Sequence, residues 1–174
     1  MSDNSQRLFL SERAIKLHTE YVRELELKYS ILKKSVPELS DNAEKVMRQR
    51  LDRSLKREAL SLLLDIECHK LYFESFTPEP KPSELVKKAF GSEESLVYAI
   101  YKRALKQNGG FICVARYKGD RFRIGTAEEL YPFKTEKIIA IDVCEHAYFT
   151  DYFFDKEKYL RTALGFFNLS RLDE

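Results

Sequence analysis

The chain has 174 residues, of which 44% are hydrophobic and 13% aromatic, so it can bury the core of one compact domain or of two small ones. Its 30 basic residues nearly balance its 28 acidic ones, which indicates neither a general nucleic-acid binder nor a disordered acidic tail. No apolar run approaches the roughly 20 residues of a membrane-spanning helix, and the start MSDNSQRLFLSERAIK lacks the apolar core of a secretory signal. We therefore expect a soluble, cytoplasmic protein.

The cysteines are odd in number and widely spaced: Cys68, Cys113 and Cys144. A disulfide framework uses an even number of cysteines in a short secreted chain. The pattern predicts reduced thiols, and small buried core residues are the simplest interpretation of all three.

The N-terminal half is predicted to be helical. Apolar residues recur at helical spacing from Ser11 to about Lys34, and Pro37 then breaks the pattern. Ser40 or Asp41 can cap a second long helix whose apolar positions continue to Phe73. Two long helices joined by a short loop form an antiparallel hairpin.

The second half changes character after TPEPKPSE, a polar segment with three prolines that is predicted to be a linker. We place a domain boundary near Pro80, between residues 1–80 and 81–174. Beyond it SELVKKAF and SEESLVYAIYKRALKQ are predicted helices, FICVARY, RFRIGTA and KIIAIDV predicted strands, and EHAYFTDYFF and KEKYLRTALGFFNL further helices. The predicted fold class is α+β, with an N-terminal α-hairpin and a C-terminal α/β domain.

Three histidines are the candidates for site chemistry. An antiparallel hairpin can bring His18 beside His69, while His146 follows Asp142 by four residues, where the last strand runs into a helix. Three imidazoles and a carboxylate suit iron, manganese or zinc. Because each histidine lies in an apolar periodic segment, three ordinary core histidines remain the alternative.

The segment IDVCEHAYFTDYFFDKEKYLRTALGFFNLS resembles the C-terminal signature of the iron/manganese superoxide dismutases. The resemblance implies a three-stranded antiparallel sheet, one iron or manganese ion per chain, and Asp142 and His146 as metal ligands. DIECHKLYFESFTP and LSERAIKLH are similar to the family's other two ligand segments, which implies His69 and His18. A shifted alignment would place the first ligand at Arg13, and we reject it because arginine cannot bind a cation.

The resemblance also shows where this chain departs from the family around the ligands. The resemblance places Asp65 at a position of the family's glutamine, and Glu26 at that of a tyrosine; the segment GTAEELYPFKTE has no glutamine either. Both carboxylates are expected to lie near the metal, or else to pair with basic residues and point away. Cys144 replaces a tryptophan of the family motif, and Phe111 and Cys113 stand in another tryptophan-containing segment, which implies a roomier pocket.

The family's dimer contacts imply a homodimer. Glu145 and His146 retain a pair that joins the subunits, and Val22 and Phe149 occupy the positions of a second contact. We expect Glu145 to act beside the ligands, together with Glu26 and Asp65.

Three functions follow as hypotheses. The leading one is a superoxide dismutase, and the alternative is a metal-binding relative that has lost or changed this redox activity and has a structural or regulatory role. A third, RNA binding by the basic segment KVMRQRLDRSLKR, is disfavoured because interspersed acidic residues are typical of a solvated helix face.

Overall fold

The structure is a computed structural model that describes residues 7–130 and 137–174. Residues 131–136, in the second half of the segment GTAEELYPFKTE, and residues 1–6 lie outside the described residues. The first half contains the helices α1 (Glu12–Ser35), α2 (Ala43–Arg48), α3 (Arg53–Glu74), α4 (Glu84–Phe90) and α5 (Glu93–Lys106). The second half contains β1 (Phe111–Tyr117), β2 (Arg121–Thr126), α6 (Ala127–Leu130), β3 (Lys137–Asp142), α7 (Glu145–Tyr152), α8 (Lys156–Leu164) and a 3-10 helix (Leu169–Leu172).

Helices α1 and α3 form the predicted antiparallel hairpin. The Ser11 side chain caps α1 by accepting the Ala14 N–H at 3.2 Å, and α1 ends before Pro37, as expected. The ring of His18, near the start of α1, lies 5.0 Å from that of His69, near the end of α3. The end of α1 instead packs with the start of α3, so the two helices run in opposite directions.

The prediction of one continuous second helix is wrong. Asn42 caps the short helix α2 by accepting the Lys45 N–H at 2.9 Å, and α3 begins separately after Asp52, which accepts the Ser54 N–H at 2.8 Å. Asn42 and Asp52 are therefore N-cap residues, and each one starts a separate helix. The basic segment KVMRQRLDRSLKR is consequently divided between two helices.

The three predicted strands form one antiparallel sheet in the order β2-β1-β3. Cys113 in the central strand pairs with Gly125 on one side and with Ala140 on the other. On β3 the Ala140 N–H donates to Ser75 Oγ at 2.9 Å, so the end of α3 is fixed against this strand. The sheet and the helices confirm the predicted α+β fold.

Buried apolar residues form two clusters. We call the larger one the sheet core, because it contains the central strand together with parts of α3, α5, α7 and α8. We call the smaller one the hairpin core; it consists of Leu25, Tyr29, Leu39, Ala43, Val46, Ala59, Leu63 and Ile66. On α1, His18 lies between Ala14 of the sheet core and Leu25 of the hairpin core. On α3, His69 lies just beyond Ile66, so both histidines lie at the junction of the two cores.

Candidate metal centre

Four side chains from four elements meet at this junction. His18 comes from α1, His69 from α3, Asp142 from the end of β3 and His146 from the first turn of α7, and each offers one ligand atom within 4.8 Å of the others. Asp142 Oδ2 lies 3.2 Å from His18 Nε2, 3.6 Å from His69 Nε2 and 2.9 Å from His146 Nε2. Ligand atoms about 2.0–2.2 Å from one ion, at angles of about 90° to 109°, are separated by about 2.8–3.6 Å, so these spacings fit a metal site.

Unsatisfied polar atoms in the cluster also fit a metal ion. Asp142 is 0% exposed and His18 is 1% exposed, yet Asp142 Oδ2 and both ring nitrogens of His18 form no hydrogen bond of good geometry. Buried polar atoms without partners are costly. A cation at the centre would satisfy Asp142 Oδ2 and His18 Nε2 together.

Two of the ligand side chains are oriented by backbone groups. His69 Nδ1 lies 2.6 Å from the Asp65 carbonyl oxygen, a contact that needs a proton on Nδ1 and leaves the Nε2 lone pair for a metal. The Cys144 N–H donates to Asp142 Oδ1 at 2.8 Å, so Oδ2 remains for the cluster. Backbone geometry therefore selects which atom of each side chain faces the centre.

The charge states of these groups suit cation binding. Burial lowers the pKa of His69 to about 4, so its imidazole is neutral near pH 7, as a ligand must be. Burial alone would raise the pKa of Asp142, but its contacts with His146 and His18 outweigh burial and lower it. Asp142 is therefore a carboxylate among imidazoles.

Tyr21 is a neighbour of the cluster that sequence reasoning missed. Its ring stacks on that of His146 with centroids 4.2 Å apart, and it lies 5.5 Å from the ring of His69. Burial and the nearby charge of Asp65 raise the pKa of the Tyr21 phenol. Its position three residues after His18 on one helix is a signal in the sequence for this proximity.

The three acidic residues expected near the metal lie in different environments. Asp65 is half-buried one helical turn before His69, and burial followed by the charge of Asp142 raises its pKa. Glu26 is exposed, and its Oε1 lies 3.7 Å from Lys70 Nζ. Of the two alternatives for Glu26, the structure therefore shows the second: it pairs with a basic residue and points away from the cluster. Glu145 is exposed at the start of α7.

The three cysteines lie outside the group of four candidate ligands. Cys144 Sγ accepts the Gly110 N–H at 2.8 Å, and burial raises the pKa of its thiol to about 12. Cys68 and Cys113 are buried, and the neighbouring Cys113 thiol, together with burial, raises the pKa of Cys68. All three thiols are free in the structure, and Cys144 is only partly buried, unlike the other two.

Arg13 is exposed while His18 lies inside the cluster, which favours the alignment that we chose. The rings of Phe111 and His69 form a T-shaped contact with their centroids 4.8 Å apart, so an aromatic side chain packs against this ligand although the chain has no tryptophan.

Among residues 7–130 and 137–174, every helix is too short or too polar to span a bilayer.

Comparison with known proteins agrees with the resemblance. Residues 78–174 match the family model described as iron/manganese superoxide dismutases, C-terminal domain. No protein of curated function matches the chain. The matched segment is more than half of the chain and contains the sheet, Asp142 and His146. The chain belongs to the iron/manganese superoxide dismutase family.

Proposed function

We propose that the chain is a metal-dependent superoxide dismutase, which converts superoxide to oxygen and hydrogen peroxide. The observation that carries this proposal is the buried cluster of three imidazoles and one carboxylate in a chain of this family. The proposed ligands of one iron or manganese ion are His18, His69, Asp142 and His146. When bound, the ion supplies the one-electron chemistry that dismutation requires.

The chain's own residues supply binding, orientation and protons. The Asp142 carboxylate compensates one charge of the cation, and the backbone contacts described above hold its Oδ2 and His69 Nε2 toward the centre. Tyr21 keeps its phenolic proton because its pKa is raised. Since its ring covers the partly exposed His146, Tyr21 is placed to donate a hydrogen bond or a proton near this side of the site.

Asp65 is the observation that favours a second candidate function. A half-buried carboxylate near the cluster stabilises the more oxidised metal and repels superoxide, which is an anion. Dismutation should therefore be weak relative to the family. The second candidate is a metal-binding relative without efficient dismutation, with a structural or regulatory role.

We also propose a homodimer in which Glu145 reaches His146 of the partner subunit. Glu145, Phe149 and Phe153 follow one another at intervals of four residues along α7 and its C-terminal end, which places them on one face. Phe149 is 43% exposed and Phe153 65% exposed, and their rings contact each other. An exposed aromatic surface beside Glu145 supports an interface there. Light scattering should give twice the chain mass of 20.5 kDa, whereas a monomer at micromolar concentration contradicts this arrangement.

The enzymatic proposal is tested by stopped-flow decay of superoxide. Protein loaded with iron or manganese should accelerate the decay in proportion to its metal content, and His146→Ala should remove the acceleration. Full metal loading without any acceleration would refute the dismutase and leave the second candidate.

A further inference from the structure

Two buried tyrosines lie next to the cluster: the ring of Tyr72 is 5.0 Å from that of His18, and Tyr159 contacts the backbone of Asp142. Tyr159 of α8 and Tyr72 of α3 are both 0% exposed. The Tyr159 hydroxyl donates to the backbone carbonyl oxygen of Asp142 at 2.9 Å, and the two phenolic oxygens lie 3.2 Å apart. A phenol has one proton to donate. Because Tyr159 gives its proton to Asp142, Tyr72 must be the donor to Tyr159.

The hydrogen bonds therefore run in one direction, from Tyr72 to Tyr159 to the backbone of a candidate ligand. In such a series each donation polarises the next group and strengthens it as a donor. The Tyr159 hydroxyl acts on Asp142 directly, whereas the Tyr72 hydroxyl reaches Asp142 only through Tyr159. The ring of Tyr72, which lies 5.0 Å from the ring of His18, remains when the hydroxyl is removed. The effect of removing Tyr72 should be the smaller one.

Asp142 needs such support because it is the last residue of β3. The sheet pairs Asp142 with Phe111, the Val143 N–H still donates to the Gly110 carbonyl oxygen at 2.9 Å, and the chain then turns toward α7. Cys144 N–H fixes Oδ1 of the carboxylate, and Tyr159 fixes the carbonyl oxygen. Because Oδ1 and the backbone carbonyl oxygen of Asp142 are both held, two independent contacts set the direction of Oδ2.

We propose that Tyr159 is a positioning residue for Asp142, supported by Tyr72, and that it sets the angle at which Oδ2 meets the three imidazoles. This inference rests on the metal site of the proposed function, but not on dismutation. If the tyrosines only fill the core, removing their hydroxyls lowers stability without changing the geometry or affinity of the metal site.

The test compares three single-hydroxyl deletions: Tyr159→Phe, Tyr72→Phe and the matched control Tyr152→Phe. Tyr152 also donates its hydroxyl to a backbone carbonyl, that of Phe9 at 2.5 Å, but Phe9 is not a candidate ligand. Each variant is purified without metal, and its melting temperature is measured. Mn²⁺ affinity is then measured by competition with a chelator, and the visible absorption of bound Co²⁺ reports the coordination geometry.

Tyr159→Phe should weaken Mn²⁺ binding by about 10- to 100-fold, the range typical for residues that orient metal ligands, and should shift the Co²⁺ absorption bands. Tyr72→Phe should produce a smaller loss of affinity in the same direction. Tyr152→Phe should lower the melting temperature of the metal-free protein without changing affinity or absorption.

Affinity and absorption in Tyr159→Phe equal to those of Tyr152→Phe would overturn the inference. If Tyr159→Phe does not fold, Tyr72→Phe carries the comparison, and its equality with Tyr152→Phe has the same meaning. A wild-type protein that binds neither Mn²⁺ nor Co²⁺ would instead refute the metal site itself, so the two failures are distinguishable.

Discussion

The sheet core and the hairpin core differ in what holds them together. The sheet core combines a hydrogen-bonded sheet with helices packed against it. The hairpin core is a small cluster. It contains residues from the second half of α1, the first part of α3, the short helix α2 and the segment that joins α1 to α2. A small apolar cluster contributes less burial free energy than a large one. The hairpin core should therefore depend more on contacts at its edge.

The candidate metal centre lies at that edge. Asp142 belongs to the sheet, whereas His18 and His69 lie on α1 and α3, the two helices that also contribute most of the hairpin core. A bound ion would link the two cores through its bonds to the four ligands. An ion that binds only the folded state stabilises the folded state. We expect the two cores to respond differently when the site is damaged.

The largest effect is expected for His69→Ala. It removes a ligand whose Nε2 lies 3.6 Å from Asp142 Oδ2, and should abolish stoichiometric iron or manganese because the remaining site is incomplete. His146→Ala and His18→Ala should lose metal as well. Elemental analysis of the purified variants measures the loss.

Arg13→Ala is the control, because Arg13 is exposed on the same helix as His18. It should retain the wild-type metal content. Loss of metal in Arg13→Ala together with retention in His18→Ala would show that the shifted alignment is correct.

The next largest effect is expected when the ion is removed: the rates of backbone amide hydrogen exchange should rise more in the hairpin core than in the sheet core. At an ion concentration about 100 times its Kd, binding adds about 2.7 kcal/mol of stability. Backbone amides near Leu25 and Leu63, which exchange when the hairpin core opens and the site is lost, should therefore exchange up to about 100-fold faster after chelation. Amides of β1 that exchange through local openings, in which the four ligands stay together, should change much less. Equal acceleration in both regions would mean that the ion does not preferentially support the hairpin core.

The metal-free protein should lose stability between pH 6.5 and about 4. Burial lowers the pKa of His69 from 6.5 to about 4, so over this range the unfolded chain binds a proton that the folded chain does not. The unfolding free energy then falls as the pH falls, by on the order of 3 kcal/mol. Urea denaturation across this range measures the loss.

His69→Gln is the matched control for this pH dependence. It removes the titrating imidazole, so its stability should decline less than that of the wild type between pH 6.5 and 4. Parallel curves for the two proteins would contradict a buried neutral His69.

The smallest effect is expected at Asp65. Asp65→Asn replaces a half-buried carboxyl near Asp142 with a neutral amide, and should raise dismutase activity per metal ion by roughly three- to tenfold through weaker repulsion of superoxide. Glu26→Gln is its control, since Glu26 pairs with exposed Lys70 and should leave activity unchanged. A fall in activity in Asp65→Asn would show that the carboxylate belongs to the working site.

Most of the fold could be predicted from the sequence because apolar spacing differs between helices and strands. The break between α2 and α3 could not, because Met47, Leu51 and Leu55 recur every four residues across it, as in a continuous helix. Its causes are local hydrogen bonds from Asn42 and Asp52, and such capping residues are also common on exposed helix surfaces. The domain boundary near Pro80 stays a prediction.

The candidate ligands could be identified because all three histidines and Asp142 lie in segments that resemble the family. Their surroundings were harder to predict. At about 100° per residue, Glu26 lies about 80° to one side of His18 on α1, and Tyr21 about 60° to the other. Which side faces His146 depends on where α7 packs, and this long-range contact is not encoded in the spacing of α1 alone.

The most direct measurement of the central claim is the metal content of the purified wild-type protein. Elemental analysis after reconstitution with iron or with manganese should give one ion per 20.5 kDa chain, and His69→Ala prepared in parallel should give almost none. A wild-type protein that holds no stoichiometric metal after either treatment, or a variant that holds as much as the wild type, would contradict the metal centre proposed for His18, His69, Asp142 and His146.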